Sequence, residues 1–211
     1  MRKYFNLVIY LFGFIGFSSA SAGSYEDYFR AVGADDAATV SGLLERGFDP
    51  NSPDERGQVG LTLALRDGSL KVAAALLARR ELKVDAANAA DETPLMMAAL
   101  RGNLEWTQRL LERGAQVNRN GWTPLHYAAS GPEPKLLTLL LDRGAAIEAP
   151  SPNRTTPLMM AARYGAPGAA ELLLARGADP RARNELGLTA ADFARQGGRE
   201  ALAAKLQAAA Q

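Results

Sequence analysis

Apolar residues fall along the chain in short helical blocks, and the blocks recur. Thr93-Pro94-Leu95-Met96-Met97-Ala98-Ala99 returns as Thr123-Pro124-Leu125-His126-Tyr127-Ala128-Ala129, and again as Thr156-Pro157-Leu158-Met159-Met160-Ala161-Ala162. Each copy predicts a helix. Its Thr offers a side-chain oxygen to the first free amides, and Pro suits the first helical position, where a missing N–H matters little. Leu then turns inward, and the Ala-Ala pair keeps the helix narrow enough to stack closely. Gly102 and Gly165, nine residues after the Thr, mark the end of this helix. A second helix follows, with Leu104, Leu110 and Leu111 in one copy and Leu172, Leu173 and Leu174 in another. Arg113-Gly114, Arg143-Gly144 and Arg176-Gly177 close it. Arg suits the negative end of the helix dipole, and Gly can take the left-handed conformation of a C-cap. Recurrence at fixed spacing predicts a stack of modules rather than one closed globule. Such stacks present surfaces and seldom enclose a reactive pocket.

Thr-Pro-Leu-x-x-Ala-Ala, a Gly, and then Leu-Leu-x-x-Gly-Ala resembles the ankyrin repeat. The period agrees, since Leu125 to Leu158 and Leu158 to Ala191 are both 33 residues. A tetratricopeptide array has a similar period, but its Trp, Leu-Gly and Tyr positions are absent. Degenerate copies extend the array. Gly57 to Leu65 starts a unit in which Val59 and Gly60 replace Thr and Pro, and Arg80 stands where the closing Gly belongs. Its helix start and its C-cap are both expected to be weaker. Upstream, Tyr28 to Val32 leads to Leu43-Leu44-Glu45-Arg46-Gly47, and Gly187 to Ala194 opens a last unit whose second helix, roughly Arg199 to Ala209, is polar enough to act as a cap. The resemblance implies an all-α fold, an ankyrin-repeat solenoid of helix-turn-helix units with projecting hairpin-like loops. Six units are expected, near residues 24–53, 54–87, 88–117, 118–150, 151–183 and 184–211, within one domain of residues 23–211. One loop is irregular. From closing Gly to next Thr the distance is 12 residues at Gly144–Thr156 and Gly177–Thr189, but nine at Gly114–Thr123. A finger shortened by three residues should leave a notch near the middle of the row.

The N-terminus reads differently. Met1-Arg2-Lys3 is basic, Tyr4 to Phe17 is largely apolar, and Ala20-Ser21-Ala22 has the small-x-small pattern of a cleavage site, which predicts a signal peptide over residues 1–22 cut between Ala22 and Gly23. The alternative is a retained anchor, but the apolar run has 14 residues against the roughly 20 that span a bilayer. Cleavage would remove two of 24 basic residues, leaving 22 against 23 acidic ones. Net charge then gives no case for nucleic acid or for an anionic membrane. There is no cysteine, which excludes disulfides, thiolate nucleophiles and cysteine-ligated zinc. A leader, no cysteine and an Ala/Arg/Leu-rich body together suggest a bacterial envelope protein in the periplasm.

Catalytic chemistry finds little support. The single histidine, His126, occupies the helix-start position of Thr-Pro-Leu-His, and one His without Cys makes neither a His-rich metal site nor a Cys-His pair. There is no Gly-x-Ser-x-Gly element, no Walker loop and no Gly-x-Gly-x-x-Gly. Asp49, Asp85 and Asp179 follow second helices at equivalent places and fit Asx-type turns better than a metal. Trp106 falls where Val72 and Leu136 stand in other copies and reads as packing. No enzyme, cofactor or metal is expected.

Surface recognition remains. In ankyrin proteins the first-helix C-termini and the fingers face the concave groove. The resemblance therefore implies partner-binding roles for Arg66, Asp67, Leu100, Arg101, Arg163, Tyr164 and Arg195 at helix ends, and for Arg119, Trp122 and Arg154 on fingers. Arg, Tyr and Trp dominate interface energetics, and a row of guanidinium groups suits an acidic partner. The same arginines also fit plain solvation of helix ends. The expected function is a monomeric, non-catalytic scaffold of the periplasm that binds another protein bearing an acidic patch and positions or regulates an envelope enzyme. Nucleic acid is not expected as a partner, nor is membrane once the leader is gone. The alternative is a secreted ankyrin effector acting on host or neighbouring-cell proteins.

Overall fold

The computed structural model describes residues 19–211, with side chains from residue 23. The predicted apolar run Tyr4–Phe17 and the basic residues ahead of it lie outside the described residues. Twelve helices follow one another within the described part and contain no strand: α1 Ser19–Gly33, α2 Ala37–Glu45, α3 Gly60–Asp67, α4 Leu70–Leu77, α5 Pro94–Leu100, α6 Leu104–Glu112, α7 Pro124–Ser130, α8 Lys135–Asp142, α9 Pro157–Tyr164, α10 Ala169–Ala175, α11 Ala190–Gln196 and α12 Glu200–Ala209. Helix α1 passes through the Ala22–Gly23 junction. Odd-numbered helices pair with the even ones that follow, and each pair stacks on the next, giving the all-α repeat solenoid that the motif predicts.

Local chemistry explains the helix starts. The Thr93 and Thr156 hydroxyls each accept the N–H three residues on, from Met96 and Met159, while the Met sulfurs accept the Thr N–H in return. Thr189 and Asp192 close the same reciprocal box. Val59 opens α3 without a side-chain cap, as its sequence implies. The Gly that follows it has a cause lying in another unit. A Cβ on Gly60 would sit 2.1 Å from the buried Tyr28 hydroxyl, so the aromatic ring of the first unit displaces the usual Pro.

Successive units touch through backbone as well as through side chains. A Cβ on Gly165 would meet the Ala129 carbonyl at 2.5 Å, and one on Gly131 would meet the Ala99 carbonyl at 2.9 Å. First helices α3, α5, α7, α9 and α11 therefore approach closely over their Ala faces, more so than the second helices do. Loop side chains pin each unit to the next. Asn51 accepts the N–H of Lys83 at 2.7 Å, Asp85 that of Gln116 at 3.0 Å, Asn118 that of Ala146 at 2.8 Å and Glu148 that of Asp179 at 2.8 Å. Asp49 and Asp179 form the expected Asx turns, accepting from Asn51 and Arg181, whereas Asp85 reaches across units instead. Arg113 likewise donates to the Leu77 and Arg79 carbonyls of the preceding unit, and Arg176 pairs with Asp142 at 2.9 Å. Arg113 and Arg176 thus serve the neighbour's helix end rather than their own.

The fingers are turns closed by two backbone bonds each: Asp54 N–H to the Gln58 carbonyl, Asn88 to Glu92, Ser151 to Thr155 and Asn184 to Leu188, with Gly57, Asp91, Arg154 and Gly187 donating back to Asp54, Asn88, Ser151 and Asn184. Two residues before each helix cap the chain takes positive φ, at Gly57, Asp91, Gly121, Arg154 and Gly187. Arg154 at φ 61° carries a Cβ where glycine is favoured. Arg154→Gly is expected to raise stability by about 1 kcal/mol, and Gly165→Ala to lower it by ~2 kcal/mol through the backbone clash. Urea unfolding checks both, as opposite shifts of the midpoint at constant slope. Shifts of equal sign would contradict the packing described.

Candidate protein-binding surface

The short finger shapes the concave face. Between Gln116 and Thr123 no backbone bond equivalent to the other finger turns forms. Elsewhere fingers also bond to one another, Ala89 N–H to the Gly57 carbonyl at 2.9 Å and Glu185 N–H to the Asn153 carbonyl at 3.0 Å. The ladder of backbone bonds between fingers is interrupted at residues 118–122, where the spacing predicts the notch. Its floor is Trp122, half-buried, with its ring set edge-on to His126 at 5.2 Å.

Two open cavities meet there. One of about 260 Å³ is lined by Leu100, Trp122, Tyr127, Ser130, Met160 and Tyr164, with His126 at its base. The other, of about 340 Å³, shares Trp122, Met160 and Tyr164 and extends to Arg163, Leu186, Leu188 and Phe193. Tyr164 is 54% exposed and Leu186 79% exposed, which makes a contiguous apolar strip from the end of α5 to the last finger. Isolated surface apolar residues need no explanation, but a clustered, concave set marks an interaction site.

The ten residues singled out in the sequence separate into groups. Leu100, Trp122, Arg163 and Tyr164 line the cavities. Arg163 lies over the Tyr164 ring at 5.0 Å and donates to Gln196 at 2.8 Å. Arg101 and Arg154 are exposed and make no side-chain hydrogen bond or ion pair among the described residues. Arg66 is held by Asp67 at 2.9 Å and by Gln58 at 3.3 Å, so these two predicted contacts largely satisfy each other. Arg119 reaches back to Asp91 at the preceding finger tip and is mostly covered. Arg195 stands six residues after Thr189, not seven as Arg66 does after Val59 and Arg163 after Thr156. That offset turns it toward α12, where it bonds Gln207 at 2.6 Å, while Asp192 of its own helix pairs with it at 3.0 Å. The arginines do not form one straight row.

Tyr127, Met160, Leu186 and Phe193 were not singled out from the sequence. Leu186 was nonetheless visible, as an apolar residue inside the turn sequence Asn184-Glu185-Leu186-Gly187. Tyr127 was visible as the departure from Met97 and Met160 between copies. Its hydroxyl donates to Glu92 at 3.0 Å, and Asn88 donates to the other Glu92 oxygen at 2.8 Å. Burial, and then the Glu92 carboxylate, push the Tyr127 phenol above its usual range. Both oxygens of this carboxylate are thereby engaged by donors of the same chain.

His126 is fully buried and supports the helix start. Its Nδ1 lies 3.2 Å from the Thr123 nitrogen and accepts that N–H, so Nε2 carries the proton and donates to the Thr155 carbonyl at 2.9 Å. Trp106 is buried as expected, with Arg109 4.6 Å over its ring. Among the described residues no three His, Asp or Glu side chains converge as a metal site, and no helix is long and apolar enough to cross a membrane.

Burial holds the His126 imidazole down at about 4, below the ordinary 6.5. A folded-state value below the unfolded one means that protonation favours the unfolded chain. The contribution is complete above pH ~6.5 and is lost as pH falls toward 4, a change of order 3 kcal/mol. Because the chain has one histidine, its single imidazole NMR signal is expected to titrate near 4. His126→Gln is expected to flatten the stability slope over that interval. Titration near 6.5 would contradict the burial.

Comparison with known proteins agrees with this architecture. The family model for ankyrin repeats matches in three overlapping copies, at residues 29–120, 62–151 and 117–184. The chain is similar to the nuclear factor NF-kappa-B p105 subunit of Gallus gallus, 31% identical over 161 residues, covering 73% of this chain and 16% of that protein. It is 36% identical over 157 residues to SH3 and multiple ankyrin repeat domains protein 2 of Homo sapiens, covering 72% of this chain and 8% of that protein. A putative ankyrin repeat-containing protein of Treponema pallidum is 36% identical over 129 residues, 57% of this chain and 42% of that protein. The chain therefore spans less than half the length of these relatives. Ankyrin repeats are generally non-catalytic modules that bind other proteins. Twelve stacked helices, the Thr-Pro caps and the matched segments agree, and the chain belongs to the ankyrin-repeat family.

Proposed function

We propose that this protein is a non-catalytic scaffold that recognises one partner protein through its concave face. The observation that carries this reading is the joined pair of apolar cavities at Trp122 and Tyr164, with Arg163 in the wall and Arg101 beside Leu100. Neither arginine has a carboxylate partner among the described residues. An acidic patch on the partner would supply one. The leader-like residues 1–22 support export to the periplasm, where a monomeric scaffold of this kind would position or regulate an envelope enzyme.

Desolvated guanidinium groups beside an apolar centre form the usual pattern of an interface hot spot, with outlying charges contributing mainly to encounter rate. Arg101→Glu combined with Arg163→Glu is expected to abolish partner capture from a periplasmic extract while leaving the helical signal intact. Arg66→Glu combined with Arg195→Glu is expected to change it little, because those side chains are already engaged within the chain. Capture that survives the first pair, or falls equally with the second, would rule out this surface. Osmotic-shock fractionation checks the compartment, with the protein expected in the shock fluid and not in the medium.

A further inference from the structure

We infer that the notch at the shortened finger is an anchor slot for one large apolar side chain, presented by an extended acidic segment of the partner. The inference rests on the reading of the concave face as the partner surface and specifies what enters it.

Geometry comes first. The finger at residues 118–122 lacks the turn that covers the equivalent place elsewhere, and the ladder of finger-to-finger bonds stops on either side of it. The residue preceding the helix cap is Gln58, Glu92, Thr155 or Leu188 in the full-length fingers and Trp122 in the short one. The short finger thus presents an indole where the full-length fingers carry Gln, Glu, Thr or Leu. The two cavities, about 260 and 340 Å³, are open on one side and share Trp122, Met160 and Tyr164. Such spaces lie close to the lower limit of about 300 Å³ for small-molecule pockets and are open rather than enclosed. They suit a side chain entering from a partner rather than a cofactor. An aromatic anchor would bury on the order of 150–250 Å² there and meet the Trp122 and Tyr164 rings.

Charge selects the rest of the segment. The other arginines singled out along these helix ends and this notch, Arg66, Arg119 and Arg195, each hold a carboxylate of this chain. Arg101 and Arg163 do not. Glu92, which reaches the slot lining through Tyr127, already accepts from Tyr127 and Asn88. Arg163 in the wall of the slot and Arg101, next in the chain to the lining residue Leu100, are thus cations without an ion-pair partner of their own, and a segment with carboxylates on both sides of its apolar anchor complements them. Arg163 stacked on Tyr164 can serve both needs, as cation toward the carboxylate and as a lid on the ring.

Tryptophan emission tests this directly, because the chain has two tryptophans and Trp106 is only 2% exposed. Quenching by acrylamide therefore reports Trp122. The probe is the capped peptide Glu-Glu-Phe-Glu-Glu, titrated onto the full chain to millimolar concentration. It is expected to lower the quenching constant of Trp122 about twofold. Replacing its Phe by Ser, or its Glu residues by Lys, is expected to weaken binding by about tenfold. Tyr164→Ala and Arg163→Glu in the protein should do the same, and Arg66→Glu should not. Equal protection by the Ser or Lys peptide overturns the inference. So does protection that grows with protein concentration alone, which would make a second copy the occupant, and so does no protection at all. If a partner is still captured in an Arg101- and Arg163-dependent way while no peptide shields Trp122, the slot is refuted and the binding surface stands. If both fail, both are refuted.

Discussion

No helix pair in this chain can bury its own apolar face, and the rest of the structure follows from that constraint. Leu95, Leu125 and Leu158 are fully covered only because the next unit lies against them. The contact is close because the Ala-Ala positions and glycines such as Gly165 let one helix end approach the carbonyls of the preceding one. Loop bonds from Asn51, Asp85, Asn118 and Glu148 then fix the register of each unit on its neighbour. Stability in such an array is a sum of nearest-neighbour terms, so units can vary locally as long as the stacking faces remain.

That tolerance is what permits a short finger. Asn118 keeps its bond to Ala146, so the three-residue deletion falls beyond it, in the projecting turn, and leaves the stack intact. Its effects are confined to the concave side. The finger ladder breaks, Trp122 comes to the surface of the notch, and Arg119 spans the gap to Asp91. The buried side chains also divide near this point, one cluster running from Tyr28 to Ala115 and the other, apart from Ala99, from Leu125 to Leu206, with Tyr127 packed against both. A deletion that costs little in packing thus produces the most distinctive feature of the binding face.

Much of this was legible in the sequence because the signals are local. A Thr cap, a Pro at the first helical position, a closing Gly and a count of residues between them are properties of a few adjacent positions. They give the helix pairs, the repeat family and the place of the notch. Long-range pairings were less legible. Gly60 in place of Pro depends on Tyr28, more than thirty residues away, and Asp85 serves Gln116 rather than its own turn. The arginines show the same limit. Their positions could be counted, but whether Arg66 meets Asp67, Arg119 meets Asp91, or Arg195 turns to Gln207 depends on side-chain geometry that spacing alone does not contain. That Arg101, Arg154 and Arg163 lack a carboxylate partner appears only in three dimensions, and of these only Arg163 lines the cavities.

The central claim is that recognition belongs to the concave face at the notch and not to the outer, second-helix face. Site-specific photo-crosslinking in cells tests it most directly, with a benzophenone amino acid in place of exposed Tyr164 on the concave side or of exposed Arg109 on α6. The account predicts a single partner protein covalently trapped from position 164 and none from position 109. A partner trapped equally from both positions, or only from position 109, would contradict it.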